Sequence, residues 1–84
     1  MTMTREIIQE NFRTADLALT AALSVSGFIV QEMERVNPTR SVFIFQNSVE
    51  LQEKVAGYWR NELRVEPQTY FNQLKIIKAR IYER

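Results

Sequence analysis

Hydrophobic and polar positions along this chain of 84 residues change their spacing several times, and each change marks an element. From Ala15 to Val25, the apolar residues Ala15, Leu17, Ala18, Leu19, Ala21, Ala22, Leu23 and Val25 fall around nearly the whole circumference of a helix. That is the pattern of a helix covered on more than one side. Thr14 is placed to cap its first turn, Asp16 meets the positive pole of the helix dipole, and Gly27 supplies the left-handed residue that stops it. The small side chains of Ala18, Ala21 and Ala22 leave room for a neighbouring backbone. From Phe28 the period becomes two, with Ile29, Gln31, Met33 and Arg35 on one side of a strand and Phe28, Val30, Glu32, Glu34 and Val36 on the other. Asn37-Pro38-Thr39 is turn chemistry, and Arg40-Ser41 leads into the β-branched and aromatic run Val42-Phe43-Ile44-Phe45. The spacing predicts a β-hairpin over about residues 28–46. Its second strand is apolar on both faces, so one face meets helices and the other needs a second cover or a partner.

Asn47-Ser48-Val49-Glu50 opens a second helix, with Asn47 as cap and Glu50 reaching back. Leu51, Val55 and Tyr58 form its stripe, Trp59 adjoins it, and the helix runs to about Asn61. Leu63-Arg64-Val65 is extended and is a candidate short third strand. Pro67 suits the first turn of a third helix, in which Tyr70, Leu74, Ile77 and Ile81 recur at intervals of four, three and four as far as Tyr82. The fold class is therefore α+β in the order α-β-β-α-α, an antiparallel hairpin packed by three helices. Residues 12–84 make a single small domain, and residues 1–11 form a tail or a segment loosely docked by Ile7 and Ile8. The expected core is Leu17, Ala21, Phe28, Val42, Ile44, Leu51, Val55, Tyr58, Tyr70, Leu74, Ile77 and Ile81. A one-residue slip would exchange Val42 and Ile44 for Phe43 and Phe45.

Composition narrows the chemistry. Hydrophobic residues at 45% with charged residues at 25% belong to a folded chain rather than a disordered one. No apolar run is long enough to span a membrane and the first ten residues lack a secretory pattern, so the expected location is cytoplasmic. Without cysteine or histidine there is no disulfide, no thiolate nucleophile, no imidazole base and no zinc–thiolate site. Glu32 and Glu34, two apart on a strand, put two carboxylates on one face, yet paired-acid or metal chemistry needs further polar groups that the pattern does not supply. The hydroxyls of Thr14, Ser41 and Ser48 have only Lys54, Lys75 and Lys78 as bases, all at ordinary helix-surface positions. Gly27 and Gly57 stand thirty residues apart and form no phosphate cradle. No catalytic, cofactor-binding or metal-ligating residue is assigned, no small-molecule substrate is evident, and the chain is expected not to be an enzyme.

In their order along the chain, these landmarks resemble a family of short, stand-alone prokaryotic proteins classed as a domain of unknown function. The resemblance is carried by Phe12-Arg13-Thr14-Ala15-Asp16-Leu17, Gly27-Phe28, Arg40-Ser41-Val42-Phe43-Ile44-Phe45, and Ser48 with Leu51. It closes with Val65, Pro67, Tyr70-Phe71, Leu74, Lys75 and Arg80-Ile81-Tyr82-Glu83, so that it covers about residues 12–83. The resemblance implies a shared fold and no activity. The chain departs from it at Val36-Asn37-Pro38-Thr39, where a tighter glycine-containing turn is expected, which implies a wider loop at the hairpin tip.

Two binding roles remain. A small non-catalytic module for protein contact, including self-association as a homodimer, is the first expectation, because helix one and the second hairpin strand carry more apolar surface than one sheet face hides. Its candidate surface is Ala18, Ala22, Phe43 and Phe45. The alternative is a nucleic-acid accessory protein. Net charge is only +1, but residues 60–84 hold six basic residues against three acidic ones, and Arg60, Arg64, Lys75, Lys78 and Arg80 are the candidate polyanion surface. Arg40 ahead of alternating Phe43 and Phe45 is similar to the base-stacking strand of RNA-binding sheets, but it lacks their glycines and the element order differs.

Overall fold

The hairpin is two thirds of a larger sheet. In the computed structural model, which describes residues 11–83, the chain runs β1 (Asn11–Thr14), α1 (Leu17–Val25), β2 (Val30–Asn37), β3 (Arg40–Gln46), α2 (Val49–Trp59) and α3 (Pro67–Glu83). The fold is α+β, with an antiparallel sheet in the order β1-β3-β2. The third strand is therefore β1, from the stretch read as the approach to helix one. Residues 63–65, the anticipated third strand, form no strand. Asn11 begins β1 and so belongs to the sheet rather than to a tail; Ile7 and Ile8 lie outside the described residues.

β3 is the central strand and is buried along its length. Phe43 and Phe45 are 0% and 1% exposed and join Leu19, Ala21, Leu23, Leu51, Val55 and Ile77 in one core. Val42 and Ile44 are buried on the opposite face, outside that core. The inward pair is thus Phe43 and Phe45, a correction to the register expected from the sequence. The larger rings fill the space between sheet and helices.

β2 also departs from simple alternation. Val30 pairs with Phe45 while Glu32 pairs with Ile44, so Gln31 is an extra residue against β3. This bulge moves Val30 to the face of Met33, whereas alternation puts them on opposite faces. A second irregularity at Val36 precedes the tip, and only Pro38 and Thr39 separate the paired Asn37 and Arg40. The wider loop is not formed. The Asn37 side chain accepts from the Thr39 amide at 3.0 Å and from its hydroxyl at 3.1 Å, closing the turn locally.

α1 is threaded through the middle of the helical layer. Five consecutive residues, Leu19 to Leu23, are buried, as its all-round apolar pattern requires, and its closest helical neighbour is α3. The cap is Asp16 rather than Thr14: Asp16 accepts from the Leu19 amide at 3.1 Å, and Thr14 in turn accepts from the Asp16 amide. Likewise Ser48, not Asn47, caps α2 by accepting from the Leu51 amide, while Asn47 accepts from Ser48 N–H and Gln52. Glu66 caps α3 through the Thr69 amide and hydroxyl, and those donors hold its carboxyl below the usual range.

α1 and α2 end alike. Phe28 N–H donates to Leu23 and Gly27 N–H to Ser24; Glu62 N–H donates to Gly57 and Asn61 N–H to Tyr58. These are Schellman closures whose turning residues have φ of 103° at Gly27 and 62° at Asn61. Nothing lies within 4 Å of a β-carbon built on Gly27, so the cost of a side chain there is purely conformational. Gly27→Ala is expected to lower stability by about 1–2 kcal/mol with an unchanged fold, read as a lower urea midpoint at constant slope. Wild-type stability in that variant would contradict the account.

Candidate interaction surfaces

The surface assigned to Ala18, Ala22, Phe43 and Phe45 is not available to a partner. Phe43, Phe45 and Ala22 are buried within a single chain, and Ala18 is half-buried. β3 is the central strand, paired by β2 on one side and by β1 over Phe43–Gln46 on the other. Among the described strands the edges are β1, four residues long, and β2, which carries Glu32, Glu34 and Arg35 and an irregularity near each end. Such features blunt strand-to-strand association.

The polyanion set is brought together only in part. Lys75 and Lys78 share one flank of α3, and Arg80 lies on another. Arg60 donates to Glu62 at 3.0 Å, and Arg64 stands in the connection before α3. The paired-acid reading also dissolves: Glu34 forms an ion pair with Arg13 across β3, and the described residues contain no cluster of three His, Cys, Asp or Glu side chains able to hold a metal. Among the hydroxyls, Thr14 and Ser48 serve helix starts.

What the fold does expose is α3. Its inner seam, Tyr70, Leu74, Ile77 and Ile81, faces the core as expected, but among its described side chains only Ile77 is fully buried. One flank repeats the seam's spacing one residue on, as Phe71, Lys75, Lys78 and Tyr82, all exposed. The Lys75 ammonium lies 5.3 Å from the centre of the Phe71 ring. On the other flank Gln73, Ile76 and Arg80 border a shallow hollow of about 270 Å³ with Ser24, Phe28 and Ile29. Ile29 is 76% exposed and Ile76 52%. Sequence periodicity marked the seam, but the exposure of Ile29 depends on where α1 ends and β2 begins, which spacing alone does not show.

A larger hollow, about 1050 Å³, opens at the closed end of the hairpin between Ala15, Leu17, the turn and the last turn of α3. Arg35 crosses its wall, donating to the carbonyls of Pro38 at 3.3 Å and Ile81 at 2.7 Å. Ser41 lines it as well; the residue is 8% exposed, and its Oγ is buried with no hydrogen-bond partner. Beside the Asp16 cap of α1, burial raises the Tyr58 hydroxyl above its ordinary pKa, and the Asp16 carboxylate adds to the effect.

The chain belongs to the family described as a domain of unknown function (DUF5659), whose model matches residues 9–83. Neither a curated protein nor a solved structure matches it. No helix among the described residues is long and apolar enough to cross a membrane.

An unpartnered buried hydroxyl costs its desolvation without return. Ser41→Ala is therefore expected to raise stability by about 1 kcal/mol, seen as a higher denaturant midpoint. A clear loss of stability would mean that the hydroxyl has a partner in solution.

Proposed function

We propose that this protein is a small non-catalytic interaction module that self-associates through the aliphatic flank of α3, around Ile29 and Ile76. The observation that carries this reading is the imbalance of α3: seventeen residues long, it places one described side chain fully in the core while Ile76 stays half exposed beside the more exposed Ile29. A chain of this size gains little net stability from its core, and association adds burial.

Charge favours a second copy as the occupant of this flank. Arg80 is the one charged residue among the described residues bordering the hollow, beside uncharged Ser24 and Gln73. Two such flanks can meet about a two-fold axis with their aliphatic centres together, each supplying both ridge and hollow. The Phe71 flank would instead set Lys75 and Lys78 against their own copies. Light scattering over a concentration series extending to millimolar should rise from the 9.9 kDa chain mass toward twice that value. Ile76→Glu, at an exposed position, should remain monomeric with an unchanged circular dichroism spectrum. A wild-type chain that stays monomeric throughout overturns the reading.

The Phe71 flank favours a second role, contact with single-stranded nucleic acid. Exposed aromatics interleaved with lysines are the elements such surfaces use, rings for stacking and ammonium groups for phosphates. Gel-shift titration with a single-stranded oligonucleotide should show binding at low salt that weakens steeply as salt rises and is lost in the Lys75→Gln, Lys78→Gln double variant. Absence of a shift at low salt ends this second reading.

A further inference from the structure

The hollow at the closed end of the hairpin has a composition that the interaction surfaces do not use. Arg35 and Arg40 both line it, and no acidic residue is among its described lining residues. Arg35 is held in place by two carbonyl oxygens, which engage two of its five N–H donors and leave its charge unneutralised. Arg40 is exposed and has no hydrogen bond or ion pair with any described residue. Beside it, Ser41 carries the one buried side-chain oxygen or nitrogen among the described residues that lacks a partner. Leu17, Ile81 and Ala15 complete an apolar wall.

We propose that this hollow binds a small oxyanion carried on an apolar body, an organic carboxylate or a phosphate monoester. Arg40 supplies the charged donors, the fixed guanidinium of Arg35 supplies the field, and Leu17 with Ile81 receives the apolar body. A guanidinium matches the paired oxygens of either anion, and two arginines with no carboxylate among the described lining residues leave the site electrostatically incomplete until an anion enters. Ser41 Oγ is buried in the wall of the hollow, so a ligand reaches it only when a side chain of the lining shifts. Its retention as an unpaired hydroxyl is a stability cost of the kind that binding sites carry.

Backbone amide NMR titrations of the full chain with benzoate, phenyl phosphate, inorganic phosphate and neutral benzyl alcohol test this. The expected result is a saturable shift of the Asn37 and Thr39–Ser41 amides with benzoate or phenyl phosphate, the responding probe identifying the anion. Inorganic phosphate and benzyl alcohol should each bind more weakly. Arg40→Gln should weaken binding by about tenfold or more and Ser41→Ala by about threefold or more, whereas Lys78→Gln, with the same change in net charge, should leave it unaltered. The proposal is overturned if neither aromatic anion saturates, if benzyl alcohol binds equally well, or if Arg40→Gln weakens binding no more than Lys78→Gln does.

Discussion

Burial of the central strand on both of its faces is the constraint from which the rest of the architecture follows. On one side Phe43 and Phe45 are sealed by α1, α2 and α3, and the strand supplies the largest fully buried side chains of the core. On the other side lies no helix of the described residues. Arg13 on β1 pairs in register with Ile44, and Glu34 on β2 pairs with Val42, so the Arg13–Glu34 ion pair bridges the central strand above those aliphatic groups. As an ion pair between half-exposed side chains it contributes little by itself, about 0–1 kcal/mol. Its larger effect is geometric: it ties β1 to β2 across the face on which Val42 and Ile44 are buried.

That arrangement requires β1. A hairpin alone would leave one side of β3 with unpaired amides and carbonyls and would remove Arg13 from the outer face. Four residues satisfy both needs: Asn11–Thr14 pair with Phe43–Gln46, and Phe12 packs on the core with its ring 6.5 Å from that of Phe45. Two residues later the chain is already capped and turning into α1. The short β1–α1 link keeps α1 close to the sheet, where its unbroken run of buried residues has neighbours on every side.

Legibility in the sequence followed the length and independence of each signal. The α3 seam and the α2 stripe were readable because several residues at helical spacing point to one face, and Gly27 and Pro67 mark element ends by backbone requirements of their own. β1 was not readable, since four residues give only two per face and Thr14, next to Asp16, reads equally well as a cap. The caps at Asp16 and Ser48 lie one or two residues from those read, where neighbouring polar residues offer equivalent oxygens. The inward face of β3 had no polar residue from Val42 to Phe45 to break its symmetry, so its register depended on the partners. Bulges at Gln31 and near Val36 depend on pairing too, and Asn61 carries a positive φ that its neighbours do not announce.

The binding surfaces were misassigned for a related reason: apolar density along the chain locates what must be hidden, and this fold hides it. Ala22, Phe43 and Phe45 are all fully covered, because they lie in the most apolar stretches of the chain. The residues left for binding are those whose burial would have required something the chain lacks. Ile29 sits between a helix stop and a bulged strand, and Ile76 turns away from the seam that holds α3. Arg40 closes a turn whose neighbours offer it no acid, and Ser41 shares the face of Phe43 beyond the point where β1 has left the sheet. Both surfaces arise where an element ends before its neighbour does. In a chain of this size, staggered element ends are the places where surface not required by the core can specialise.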